Sequence, residues 1–125
     1  MTHCKQHINA PHSAGAANKH SVPLLAFQLS PPPSQIELSA LHRLIRIAQG
    51  VTGQSGYVAD FLLAWWDAAS FGGFDFTSLW AMDLAIAADM QIVFGLICRV
   101  NKYPDALGLD TDFEAIIRIW RTQRR

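Results

Sequence analysis

The sequence predicts an all-α fold, a compact bundle of about four helices behind a disordered N-terminal arm, and three observations predict it. Apolar residues recur at spacings of three and four along most of residues 34–122, which is the period of helices with one buried face. Ser/Thr pairs with Glu three residues later mark two helix starts, and no alternating strand pattern or internal repeat is present. The composition is half hydrophobic and 16% charged over 125 residues, enough for one domain to bury a real core without metals or disulfides.

Residues 1–21 show no apolar period and are rich in small and polar types, so they cannot bury enough surface to offset the entropy of ordering. Residues 22–29 form a short apolar patch that could dock on the core as a strap, and Pro31, Pro32 and Pro33 follow as a stiff polyproline spacer. The organisation this gives is a flexible arm with a Pro-rich spacer over 1–33, a helical domain over 34–122 and a basic tail over 123–125.

The first helix starts at a capping box, Ser34 with Glu37, and buries Leu38, Leu41, Ile45 and Ala48 before Gly50 and Gly53 end it. A second helix runs from Ser55 or Gly56 to Ala69. Tyr57 or Val58, Phe61, Leu62, Trp65 and Ala68 lie on its inner side, with Trp66 off that side and Asp60 and Asp67 together on one face. Gly72 and Gly73 break the pattern. A third helix is expected from Asp75 or Thr77 to Val100, with Leu79, Met82, Ile86, Met90, Val93, Ile97 and Val100 in one sector and Trp80 and Phe94 beside it. It is apolar nearly all round, so neighbours are expected to surround it. After a loop over 101–110, a last helix opens on a second capping box, Thr111 with Glu114, and buries Phe113, Ile116, Ile117 and Trp120.

Lys plus Arg equals Asp plus Glu at 10 each, which argues against a general nucleic-acid binder or an anionic-membrane ligand. The balance is uneven. Residues 35–110 set Arg43, Arg46, Arg99 and Lys102 against eight acids, net −4, whereas residues 111–125 are net +2. That segregation suits self-association or a partner with complementary patches. The apolar run over 79–100 has the length of a membrane span, but Asp83, Asp89 and Gln91 interrupt it, and an Asp at the centre of a bilayer helix costs about 2.5–3.5 kcal/mol. No membrane association is expected. Two cysteines, Cys4 and Cys98, and no secretory signal fit reduced thiols and a cytoplasmic location.

Catalytic, cofactor and metal sites find no carrier. His3, Cys4, His7 and His12 lack the paired spacing of a zinc site, and His42 has no nucleophile near it in sequence. GxSxG, Walker A, HExxH and CxxC patterns are all absent. Asp83 and Asp89 fall about 120° apart on a helix at 100° per residue, so they are no carboxylate pair. An acid buried there needs a donor, for which Arg43, Arg46 or a tryptophan indole N–H would serve.

The phrases VADFLLAWWDA (58–68), GGFD (72–75), LWAMDLAIAADM (79–90), YPDALG (103–108) and FEAIIRIWR (113–121) together resemble a family of small uncharacterised proteins encoded on integrative and conjugative elements and plasmids of proteobacteria. The resemblance covers about residues 39–121. It implies mobile-element cargo in a bacterial cytoplasm, a setting that includes small inhibitors of host defence, regulators and accessory factors for transfer, and it implies no activity, cofactor or site.

The expected function is therefore a non-enzymatic protein-interaction module, either an inhibitor of a host defence complex that occupies a basic nucleic-acid groove with an Asp-rich surface, or an accessory factor. The candidate partner-binding residues are Asp60, Asp67, Trp66, Arg118, Arg121, Arg124 and Arg125. The alternative is a nucleic-acid-binding regulator using the four C-terminal arginines. Ile86→Asp, at the middle of the third helix's stripe, is expected to abolish folding. Deleting residues 1–20 should leave the thermal midpoint, followed by circular dichroism, within about 2 °C of the full chain; a drop beyond about 5 °C would give the arm a structural role.

Overall fold

The computed structural model describes residues 31–122; the arm up to residue 30, with the apolar strap, Cys4 and the N-terminal histidines, and the basic tail over 123–125 lie outside the described residues. Those described form four α-helices and no strand, as the apolar periodicity predicts. They are α1 (Gln35–Ala48), α2 (Gly53–Phe71), α3 (Leu84–Arg99) and α4 (Asp110–Ile117), with 3₁₀ turns at Phe76–Ala81 and Pro104–Leu107 and a π-helical turn, Arg118–Thr122, after α4. No helix among the described residues is long and apolar enough to cross a membrane.

The expected capping box opens α1. Ser34 Oγ accepts from the Glu37 N–H at 3.1 Å and Glu37 Oε1 accepts from the Ser34 N–H at 2.9 Å, so two otherwise unpaired donors are satisfied at once. The Glu37 carboxylate also accepts from Arg99. The Ser34 backbone bond and this guanidinium together hold its pKa below the usual carboxylate value. Further along α1, Arg43 forms a two-pronged pair with Asp89, Nε to Oδ2 at 2.8 Å and Nη2 to Oδ1 at 2.9 Å. Position 37 thus meets 99 while 43 meets 89, which sets α1 and α3 antiparallel. Between the two ion pairs α1 buries Ala40, Leu41, Leu44, Ile45 and Ala48 against the other helices. Leu38 is only partly covered, and Ala40 and Leu44 join the stripe in its place.

Thr52 caps α2 by accepting from the Ser55 N–H at 3.1 Å. The helix bends at Asp67, whose backbone is non-helical at φ −165° and ψ 85°. The Asp67 carboxylate accepts from the Ser70 N–H at 3.2 Å and the Ser70 hydroxyl at 2.9 Å, in effect capping a last separate turn. Gly72, at φ 96°, then ends α2 in a conformation that a side chain would strain.

The single helix expected from Asp75 or Thr77 to Val100 is two elements. The 3₁₀ turn stops at Met82, which with Asp83 adopts extended backbone before α3 begins. Met82 drops into the core at this break, and the Asp83 N–H donates to Gln54 Oε1 at 2.7 Å. A tertiary anchor on each side of the backbone therefore overrides the local helical period. Nor do neighbours surround α3. It buries Met90, Val93 and Leu96, but Leu84 is 87% exposed and Phe94 54%.

The second expected capping box does not form. The helix starts two residues earlier, after Leu109, with no side-chain cap. Leu109 is buried and its carbonyl accepts the Phe113 N–H at 3.0 Å, so burial of a leucine sets the register and Thr111 falls inside the first turn. Phe113 follows, fully buried, with Trp65 and Trp66 edge-on at ring-centroid distances of 6.0 and 5.2 Å. Such contacts add about 0.5–1.5 kcal/mol each beyond area burial. Trp120 closes the far side, its indole N–H donating to the Ala48 carbonyl at 2.7 Å. Its ring lies so close to Gly56 that a Cβ there would sit 3.2 Å from it.

Phe113→Ala should lower the unfolding free energy measured in urea by about 3–5 kcal/mol, a large part of a small domain's total. Ile86 is only half-buried at the margin of the core, so the place where an acid abolishes folding is Val93, fully buried. Val93→Asp should be unfolded by circular dichroism, whereas Ile86→Asp should remain folded and lose about 2 kcal/mol.

Candidate interaction site

The residues singled out from sequence do not assemble into one free surface. Asp60 and Arg121 meet each other, Nη2 to Oδ1 at 2.7 Å. The same guanidinium donates to the carbonyls of Phe71 at 3.0 Å and Trp120 at 3.2 Å, fastening the π-helical turn to the end of α2. Asp67 is engaged with Ser70, and Trp66 lies half-buried against Phe113. The Asp60 and Asp67 surface is therefore largely internal bonding. Arg118 is exposed, and Arg124 and Arg125 lie outside the described residues. Of the two acids on the third stripe, Asp89 has the expected arginine partner, while Asp83 is exposed and its carboxylate makes no cap bond to α3.

Among the described residues no group of three His, Cys, Asp or Glu could hold a metal ion. His42 lies on the exposed side of α1, with Nδ1 2.9 Å from the Leu38 carbonyl, and Cys98 is an exposed free thiol.

The surface that sequence reasoning missed is an open apolar groove of about 560 Å³ between α2, the 3₁₀ turn and α3. Phe61 of α2 packs edge-on against Phe74, ring centroids 5.4 Å apart, and Phe74 touches Phe76 at 6.1 Å. Leu79 and Trp80 come from the 3₁₀ turn, and Met90, Gln91 and Phe94 from α3. The local sequence explains why these side chains stay in solvent. Gly72 and Gly73 end α2, Asp75 caps the next turn by accepting from the Thr77 N–H at 2.9 Å and its hydroxyl at 2.8 Å, and the 3₁₀ turn that follows buries none of its residues. Its aromatics spread over the gap between two helices instead of entering the core. Trp80 is 86% exposed and Phe76 69%. These side chains form one contiguous apolar patch around the groove. The sequence held one signal of it, the aromatic density of FGGFDFTSLW (71–80), of which the helical reading placed only Leu79 in a buried stripe and Trp80 beside it.

The groove lining contains two polar side chains, Thr77 and Gln91, and no titratable one. It offers area to cover rather than groups to transfer protons. Around it the chain is anionic, because residues 47–98 contain five aspartates and no Lys, Arg or His. Asp60 and Asp89 are neutralised by Arg121 and Arg43. Asp75 and Asp83, exposed at the two ends of the 3₁₀ turn, are not paired with a cation in this way. The hydroxyl and backbone N–H of Thr77 lower the Asp75 pKa, so its charge persists at neutral pH.

A family model described as a family of unknown function, DUF7673, matches residues 38–121. The chain belongs to this family. The matched span agrees with the span of the motif resemblance to within a residue, and it contains every residue that lines the groove. No curated protein and no solved structure matches the chain.

With one tryptophan so exposed and three at least half-buried, fluorescence separates them. Acrylamide should quench a large accessible component in the native protein, and Trp80→Phe should remove most of it; an unchanged quenching curve would mean that Trp80 is covered in solution.

Proposed function

We propose that this protein is a non-enzymatic interaction module that binds a partner protein through the groove walled by Phe76, Trp80 and Phe94. One observation carries the reading: three large aromatic side chains, each more than half exposed, stand around a single apolar groove with no titratable group in its lining. Tryptophan and other aromatic anchors dominate interface energetics, and truncating one in a contact centre costs about 2–4 kcal/mol of binding. The groove replaces the Asp60, Asp67 and Trp66 surface as the contact site, because Asp60 and Asp67 are bonded inside the domain and Trp66 packs against Phe113.

The proposed setting is a bacterial cytoplasm, with the protein carried on a mobile element as an inhibitor of a host defence complex or an accessory factor. Its support is the resemblance of the five motifs to proteins encoded on such elements.

The test is purification of the tagged full chain from its host after nuclease treatment, beside Trp80→Ser and Phe94→Ser variants with unchanged circular dichroism. A stoichiometric protein should accompany the parent chain and bind it directly when purified, and each variant should weaken that binding at least about thirtyfold. A partner retained equally by both variants would remove the groove from the interface, and recovery of nuclease-sensitive material alone would overturn the protein-partner reading.

A further inference from the structure

The chemistry of the groove says more about its occupant. We propose that the groove accepts a cationic amphipathic helix, whose apolar stripe covers Phe61, Phe74, Trp80 and Phe94 while Lys or Arg side chains beside that stripe reach Asp75 and Asp83. The inference rests on the groove being a protein-binding site, and it adds the conformation and charge of what binds.

Conformation follows from hydrogen bonding. A β-strand peptide carries a row of unpaired backbone N–H and C=O groups, and it is recognised where a sheet edge can pair them. The described residues contain no strand. The groove's walls are helices and a 3₁₀ turn whose backbone bonds are internal, and its lining has only Thr77 and Gln91 to offer. A lone β-strand pressed into it would leave polar backbone groups buried and unpaired. A helix satisfies its own backbone and presents only side chains.

Charge follows from the aspartates. Asp75 stands immediately before the 3₁₀ turn and Asp83 immediately after its Met82 cap, so two carboxylates bracket the wall that carries Phe76 and Trp80. The chain supplies no cation anywhere in residues 47–98, and the arginines that reach in from outside that stretch, Arg43 and Arg121, are held by Asp89 and Asp60. A partner with acidic flanks is repelled, one with neutral flanks is indifferent, and one with basic flanks is both attracted and oriented.

Three 18-residue helical peptides with the same leucine stripe and either Lys, Gln or Glu at all flanking positions separate these outcomes when titrated calorimetrically into the full-length protein. The Lys peptide should bind roughly tenfold more tightly than the Gln peptide at low salt, and the Glu peptide most weakly. Raising the salt to about 0.5 M should remove most of the advantage, because exposed charges are then screened. Asp75→Asn with Asp83→Asn should weaken the Lys peptide about three- to tenfold and leave the Gln peptide unchanged. Phe94→Ser, at an exposed position that the fold does not need, should weaken all three.

Equal affinities for the Lys and Gln peptides, with Phe94→Ser still weakening both, would overturn the cationic partner and leave the groove as a binding site. Peptide binding that ignores both Phe94→Ser and Trp80→Ser would overturn the groove reading itself. Sedimentation velocity of the protein alone adds a third outcome. A dimer that Phe94→Ser returns to monomer would make a second copy of this chain the occupant, and the proposal would fail.

Discussion

The apolar stripe of α1 is the constraint on which the domain depends. Ala40, Leu41, Leu44, Ile45 and Ala48 are all buried, and α2, α3 and α4 each pack against this one helix. Two ion pairs, Glu37 with Arg99 and Arg43 with Asp89, hold α3 along it. Partly exposed pairs of this kind add little stability, but they set which face of α3 turns inward. Once Val93 and Leu96 face inward, Gln91 and Phe94 fall on the outer side beside the 3₁₀ turn, with Met90 between core and groove. The groove is thus a geometric consequence of how α1 was satisfied.

Much of this fold was legible in the residues. Ser34 and Glu37 form the capping box that their spacing implies, and the i, i+3, i+4 recurrence located all four helices, since each of those signals acts within a few residues of chain. What the residues hid was decided at longer range. Nothing local distinguishes a continuous helix over 75–100 from two elements, because Leu79, Met82 and Ile86 keep helical spacing across the break; only Gln54, twenty-nine residues away, reveals that the Asp83 N–H has another acceptor. Thr111 and Glu114 had a capping box's spacing, yet the burial of Leu109 moved the helix start.

The candidate site was the least legible part, for a related reason. Asp60 and Arg121, sixty-one positions apart, looked like two free charges and are one bond. Asp89 was the exception, since its place at the margin of an apolar sector already demanded a donor. The aromatics of the groove failed in the opposite sense. Trp80 and Phe94 are chemically indistinguishable from core residues, and whether such side chains are covered depends on the direction of a turn that the glycines permit but do not specify.

The two walls of the groove differ in how firmly the rest of the domain holds them. α3 is rooted by three buried side chains, so displacing it means dismantling the core. The 3₁₀ turn has no buried side chain between Phe76 and Ala81 and is tied down at its flanks, by the Asp75 cap on one side and by Met82 and the Gln54 bond on the other. Opening that turn uncovers mainly Leu79, so its amide protons should exchange through a local fluctuation well below the free energy of global unfolding. One wall of the groove is a fixed template and the other an adjustable one, able to re-seat Phe76 and Trp80 around side chains of different size while the domain beneath stays intact.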